Sequence, residues 1–470
     1  MPRDLPDAQQ KALFATGHRV GDLAKELFPG GDEIAFDSKN FDGMACRTRE
    51  LIDNGVSTIY EATFRSANGF AMVDILHRGD KGWEMYEVKA SASVKDYHLW
   101  DAAFQYRVLR ACGMEPLKVA IVHIDNSYVR GEELEVERLF AIEDVTEEIL
   151  AMQEKVGMRM QAFDKLLSGP EPDIDIGEQC SIFYDCDYHG HCWAHVPSPS
   201  VFDLYRMGDA RKFEMYRSGI VRYEDIPDDF PLNPIQRIQI ETAKSGEIHV
   251  NPSVIETFLE KLCFPLNFFD FETFQEAIPR FKGQRPYMQM PFQYSIHILH
   301  ENGMLEHREF LGDEHHDPRR ELVERMLEDI TPRGSIVAFN RSFEISRIRE
   351  LAEAFPEYRD RLLKLAERFV DLIEPFRGLG YYHPDFNGSF SIKSVLPALF
   401  PDDPELDYTA LAIQNGGMAM DVFGNLHRLK DQKKREEIRR SLLAYCRLDT
   451  LAMVRIYEKL KEEVVHGDDR

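Results

Sequence analysis

The run Pro265-Leu266-Asn267-Phe268-Phe269-Asp270-Phe271-Glu272-Thr273 constrains this chain more than any other stretch. It is apolar enough to be a buried strand. Its Asp270 and Glu272 stand two apart, so on a strand both side chains point to one face. Two carboxylates on a face that is being buried repel one another and are costly to desolvate. A divalent cation between them is the simplest way to meet both demands. The run therefore calls for a sheet on which other elements bring further acids to the same face.

Such an element lies far downstream. Leu442, Tyr445, Leu448 and Ala452 recur with helical periodicity, and Tyr445 and Asp449, four apart, share one helix face. Between the two motifs stands Val337-Ala338-Phe339-Asn340-Arg341-Ser342-Phe343-Glu344. The three in this order resemble the DEDDy exonuclease branch of the RNase H-like superfamily, with Glu344 where that pattern usually has Asp. The resemblance implies that Asp270, Glu272, Glu344 and Asp449 bind Mg2+ or Mn2+ and that Tyr445 orients or helps deprotonate the attacking water. Hydrolysis of a phosphodiester by two bridged ions needs hard oxygen ligands of this kind converging from separate elements.

A second constellation lies near the N-terminus, where Tyr60–Phe64, Phe70–Leu76 and Trp83–Lys89 read as three strands. Glu87 and Lys89 alternate onto one face, and a neighbouring strand brings Asp74 beside them. Carboxylates that hold a divalent ion beside a lysine that steadies developing charge form a plausible hydrolytic set. Glu61 precedes the set at an expected helix-to-strand junction, and an amphipathic helix carrying Gln105 follows it. This order resembles RecB-type PD-(D/E)XK nucleases, which implies catalytic roles for Asp74, Glu87, Lys89, Glu61 and Gln105, with metal on Asp74 and Glu87.

The third signal is Cys180, Cys186 and Cys192, spaced by six in a turn-rich segment that also holds His189, His191 and His195. Short, regular thiol spacing is a metal signature. Iron-sulfur members of the RecB type carry a similar three-cysteine group completed by an upstream cysteine, which implies a 4Fe-4S cluster with Cys46 as fourth ligand. Zinc held with the histidines, and free thiols, are the alternatives.

With 470 residues the chain is too long for one ordinary core. Pro197-Ser198-Pro199-Ser200 and the acidic, proline-punctuated stretch from Glu224 to Pro231 suggest a division into residues 1–196, a helical linker 197–250, and residues 251–470. The expected fold class is α/β: a PD-(D/E)XK restriction-endonuclease-like domain followed by an RNase H-like mixed-sheet domain. The stretch Gly388–Pro397 reads as a loop entering a helix, either a place where backbone donors and Lys393 meet a phosphate or an ordinary capped helix start, and Asn415–Met418 has no specific role. The formal net charge of -25 rules against a dedicated nucleic-acid binder, but not against a nuclease whose metal ions supply local positive charge. No apolar run reaches the roughly 20 residues of a membrane helix, and the start has no secretory pattern, so a cytoplasmic location is expected.

Taken together, the motifs resemble the bacterial domain-of-unknown-function family 2779. They imply a metal-dependent nuclease, a 3'-5' exonuclease acting on DNA rather than RNA, with a second RecB-type site. The alternative is a nucleic-acid-binding scaffold whose nuclease sites are degenerate.

Overall fold

The three strands expected near the N-terminus are the centre of a six-stranded sheet in the computed structural model, which describes residues 3–467. The strands are β1 (Asp32–Glu33), β2 (Thr58–Ser66), β3 (Gly69–Arg78), β4 (Trp83–Lys89), β5 (Lys118–Ile124) and β6 (Phe140–Asp144), lying side by side in chain order. Pairings β2–β3, β3–β4 and β5–β6 are antiparallel, while β1–β2 and β4–β5 are parallel. A parallel neighbour requires a crossover, and the helix Asp96–Ala111 supplies it between β4 and β5. Alternate residues of the strands feed two cores. Ile59, Val73, Met85 and Ile121 pack with Ala102, Tyr106 and Leu109 of that helix, whereas Tyr60, Ile75, Tyr86 and Val122 pack with Val20 and Ala24 of the helix Ala8–Ala24.

The chain forms two compact units, each a mixture of helices and strands. The first comprises residues up to Asp175 together with Gln275–Met288. That short segment is built into the first unit by reciprocal backbone bonds of Arg130 with Gly283 and Gln284, and by the Tyr287 hydroxyl on the carbonyl of Ala90. The second unit runs from Ile176 to Phe274 and resumes at Gln289.

In the second unit, β7 (His249–Val250) pairs antiparallel with β13 (Tyr381–Tyr382), apart from the main sheet. The main sheet contains β8 (Leu266–Phe274), β9 (Met290–Leu299), β10 (Leu305–Leu311), β11 (Ile336–Ala338) and β12 (Phe369–Asp371), in the spatial order β10-β9-β8-β11-β12. The first three form an antiparallel meander, and β11 and β12 run parallel to β8. The β8–β9 ladder slips by one just past Glu272, so that Thr273 faces Pro291. A proline has no N–H to give the ladder and is accommodated at such irregularities.

The acid-bearing strand β8 is central and covered on both sides. Phe269 and Phe271 face Leu322, Val323 and Met326 of the helix Arg319–Asp329, and Ile348 and Leu351 of the helix Ser342–Ala354. On the opposite face, Phe268 meets Tyr457 of the long helix Gln432–Gly467, and Phe274 meets Phe423 of the helix Gly416–Leu426. Asp270 and Glu272 share the face of Phe268 and Phe274, beneath those two helices. Burying each phenylalanine contributes roughly 1.5–3 kcal/mol, which offsets the cost of carrying carboxylates on so enclosed a strand.

The units differ from the sequence-based division in three respects, the first being that Gln275–Met288 belongs to the first unit and not to a domain 251–470. The cysteine segment from Cys180 to Cys192 falls within the second unit, and so do residues 197–250, which hold the short helices expected of them but belong to that unit instead of linking two others. Val201, Leu204, Met207, Met215, Tyr223, Ile226 and Ile240 close a small core of their own. The prolines there punctuate turns between short packed helices, as the sequence pattern implied. This subcore meets the loop at Gly388, where an added Cβ would lie 2.2 Å from the carbonyl oxygen of Asp203.

Candidate functional site

Five sequence-selected residues meet in the second unit. Asp270 and Glu272 come from β8, Glu344 from the first turn of the helix Ser342–Ala354, and Tyr445 and Asp449 from one face of the helix Gln432–Gly467. Glu344 is aimed by the turn before its helix. Asn340 there has φ 74°, a left-handed conformation that Asn tolerates better than most residues, and Asp371 accepts the backbone N–H groups of Asn340 and Arg341. Glu272, Glu344 and Asp449 are buried.

The electrostatics show how tightly the acids are drawn together. Burial pushes Asp270 well above the usual carboxylate range, and Asp449, Glu272 and Glu344 push it further. Glu272 is raised by burial and by Asp449, with Lys393 opposing. Burial raises Glu344 to about 8, with Asp371 adding to the effect. Asp449 reaches about 6 through burial, held back by Tyr408, Lys393 and Tyr445. Oε2 of Glu344 is buried and has no hydrogen-bond partner among the described residues. Clustered, desolvated and partly unsatisfied carboxylates are the arrangement that a cation relieves.

Three residues join this site that the sequence reading did not place among its ligands. The Tyr408 hydroxyl donates to Oδ1 of Asp449 at 2.5 Å. Lys393, read earlier only as a phosphate contact, stands over the rings of Tyr408 and Tyr445 at 5.5 and 5.2 Å and donates to the carbonyl of Gln414 at 2.8 Å. Cys446 is buried with its Sγ 3.6 Å from Oδ2 of Asp270. One ligand atom each from Asp270, Glu272 and Cys446 lie within 4.8 Å of one another. The loop Asn415-Gly416, for which the sequence offered no role, brings a helix start beside the acids, with the Cβ position of Gly416 3.7 Å from Oε2 of Glu272.

The first unit gathers the other five sequence-selected residues. Asp74 accepts the backbone N–H of Val88 at 2.6 Å, and Lys89 Nζ donates to Glu87 at 2.8 Å and to Asp101 at 2.5 Å. Asp101 also accepts from Gln105 at 3.3 Å. Burial raises Glu87 well above the usual range, with Asp74 adding to it and Lys89 opposing; burial likewise brings Asp74 to about 6. Oε2 of Glu87 and Oε1 of Gln105 are buried without partners among the described residues. Asp101 was not singled out from the sequence, although it stands one helical turn before Gln105.

Glu61 departs from the expected helix-to-strand junction, since it lies inside β2. The register of Tyr60 with Ile75 and Ala62 with Val73 sets it across from Asp74. Its φ of 55° is a strained value for a non-glycine residue. Burial raises it to about 7, with Asp74 contributing.

The thiols are arranged differently from a finished site. Cys180 and Cys186 are linked by a turn in which the N–H of Cys186 bonds the carbonyl of Cys180 at 2.8 Å, and Cys192 ends the short helix His189–Cys192. Among the described residues, no three of these cysteines and the neighbouring histidines bring donor atoms within 4.8 Å of one another. Two ligands of a tetrahedral zinc lie roughly 3.5–4 Å apart, so this set does not fit a single zinc ion as it stands. Cys46, the expected fourth ligand of a 4Fe-4S cluster, is exposed on the helix Phe41–Asp53 of the first unit.

Fold and site together define a mixed α/β protein with a group of buried, mutually repelling carboxylates in each of its two units. Residues 267–391 match the family model described as "Domain of unknown function (DUF2779)". The match takes in Asp270, Glu272 and Glu344. The chain is 25% identical over 219 residues to the uncharacterized protein MG366 of Mycoplasma genitalium, covering 43% of this chain and 32% of that protein. It is 27% identical over 192 residues to the uncharacterized protein UU173 of Ureaplasma parvum, covering 37% of this chain and 27% of that protein. The aligned region thus spans about a third or less of the curated relatives. No solved structure matches.

Proposed function

We propose that the second unit is an RNase H-like, DEDDy-type 3'-5' exonuclease acting on DNA in preference to RNA, and that the first carries a PD-(D/E)XK site of the RecB type. The observation that carries this reading is the convergence of Asp270, Glu272, Glu344 and Asp449 from three separate elements, close enough that Asp449 and Glu344 act on the charges of both β8 acids. These carboxylates are the right donors for Mg2+ or Mn2+. Bound there, such ions supply Lewis acidity toward the phosphate and a nucleophilic water at neutral pH.

The chain's own groups then have distinct tasks. Lys393, half-buried beside the acids, offers positive charge where the scissile phosphate would lie. Tyr445 is raised by burial and by the surrounding carboxylates, first Asp449, so it keeps its proton and orients water rather than accepting a proton from it. In the first unit, Glu87 and Asp74 are the metal donors, Lys89 steadies developing charge, and Asp101 and Gln105 position Lys89. The net charge of -25 is consistent with salt-sensitive binding that depends on these local cations.

The test is cleavage of labelled single-stranded and duplex DNA and RNA by the full chain with Mg2+ or Mn2+. Shortening from the 3' end that is lost in Asp270→Ala and in Asp449→Ala supports the reading. Degradation at the wild-type rate by both Asp270→Ala and Lys89→Ala overturns it. Binding that needs no metal and leads to no cleavage selects the degenerate scaffold instead.

A further inference from the structure

We propose that Asp270, Glu272 and Cys446 form a mixed oxygen and sulfur metal centre that selects a borderline transition ion, zinc or cobalt, over magnesium. The inference rests on the reading of this acid cluster as a metal site and departs from it in the ion held, zinc or cobalt in place of magnesium or manganese.

The geometry is close to that of an ion site. Sγ of Cys446 lies 3.6 Å from Oδ2 of Asp270, while two ligand atoms of a tetrahedral zinc are separated by roughly 3.5–4 Å. The third donor, from Glu272, completes a group within 4.8 Å, so small side-chain adjustments close it around one ion. A second observation points independently to a missing cation. Oε2 of Glu344 is buried with no partner among the described residues, and its charge acts on both Asp270 and Glu272.

The thiol decides which cation. A site for magnesium alone is built from oxygens in an octahedron and gains nothing from sulfur. Thiolate ligands favour zinc and the softer first-row ions. As an inert core residue Cys446 would need only apolar neighbours and a backbone carbonyl, yet beside the carbonyl of Asp270 at 3.8 Å its Sγ meets the Asp270 carboxylate, the nearer of the two acceptors at 3.6 Å. When an ion binds, the S–H bond breaks, an S–metal bond forms and one proton passes to solvent.

The experiment uses the full chain carrying Cys180→Ser, Cys186→Ser and Cys192→Ser, stripped of metal and titrated with Co2+. The expected result is a near-ultraviolet thiolate-to-cobalt charge-transfer band, displaced by Zn2+. Adding Cys446→Ser abolishes the band and weakens zinc binding about 10- to 100-fold, as loss of a ligand or its support does, with magnesium affinity unchanged. X-ray absorption on the zinc-loaded triple variant, Cys446 intact, gives a Zn–S distance of about 2.3 Å and does not depend on the fourth variant folding. A zinc shell without sulfur, or a charge-transfer band that survives Cys446→Ser, overturns the proposal. A sulfur shell in a protein without nuclease activity sustains this centre and removes the nuclease reading; Mn2+-dependent cleavage with no sulfur shell does the reverse.

Discussion

The hydroxyl of Tyr408 donates to Oδ1 of Asp449 across 2.5 Å, tying a short turn in an aspartate-rich loop to the face of the long helix that carries Tyr445. Among the influences that hold Asp449 below the value burial alone would give it, this bond is the largest. Tyr408→Phe removes the donor and leaves the ring. A hydrogen bond to a charged group contributes about 1.5–3 kcal/mol, so Mn2+ binding by the second unit is expected to weaken about tenfold or more. Calorimetric titration of the variant against the wild type measures it, and equal affinities would show that the bond serves packing alone.

In the first unit Lys89 is the counter-charge for Glu87 and Asp101. Burial acts to lower its pKa, but Glu87 and Asp101 more than compensate and hold the ammonium above its ordinary range. Replacing it by methionine leaves Glu87 buried and unpaired. Breaking a buried pair costs about 3–5 kcal/mol, and the partial exposure of Asp101 places the expected loss at the lower end. The cost is greatest at pH 8 and shrinks toward pH 5, where Glu87 can take up a proton and shed its charge. Urea unfolding of Lys89→Met and wild type at the two pH values reads the difference. A loss independent of pH would mean that packing of the lysine stem, not its charge, matters.

The parts of the site legible in the sequence are those set by a fixed period. Asp270 with Glu272, and Tyr445 with Asp449, follow from spacings of two on a strand and four on a helix. Tyr408 could not be found in that way, because it stands in the one-turn helix Tyr408–Ala410 inside an aperiodic loop. Cys446 was hidden by its neighbour: one residue past Tyr445 on a buried helix, it reads as core. Glu61 depends on the β2–β3 register and on a backbone angle, neither of which composition conveys. Asp101 did leave a trace, the four-residue step to Gln105, which gains meaning only once Lys89 is placed beside the helix. The same limit explains the division of the chain, since the prolines between 197 and 231 mark turns whether or not the turns pack.

Gly334 gives a purely structural prediction at the foot of the acid-bearing strand. Its φ is 91°, and an added Cβ would fall 2.0 Å from the carbonyl oxygen of Pro265, a backbone atom that cannot swing aside. The adjoining Ser335 bonds both Cys263 and Asn267 through its backbone, at 2.7 and 2.9 Å, so the clash is transmitted to the start of β8. Gly334→Ala is expected to cost about 3 kcal/mol or more, because strain at a positive φ and overpacking act together. Thermal unfolding measures it; a change within 0.5 kcal/mol of zero, the range of an ordinary surface substitution, would be inconsistent with this close approach.

Metal-free protein should lose stability as pH rises. Asp449 and Asp74 are raised to about 6, Glu61 to about 7 and Glu344 to about 8, each chiefly by burial. A carboxyl group whose folded pKa exceeds its unfolded value binds more protons when folded. Its contribution is therefore complete below about pH 4 and is lost as pH climbs through the folded value. The expected window opens at about pH 4 and extends through pH 8, with Glu344 sharing its upper part with Asp270, Glu272 and Glu87, which burial also holds well above the usual range. In chelator the apparent melting temperature should fall between pH 5 and pH 8.5, and Glu344→Gln should flatten the fall above pH 6.5. Mn2+ should restore stability more at pH 8 than at pH 5, where protons compete for the same oxygens. Melting curves across this range, with and without Mn2+, check both signs; a melting temperature that rises with pH in chelator, or an equal effect of Mn2+ at the two ends, would contradict the picture of carboxylates held together against their own repulsion.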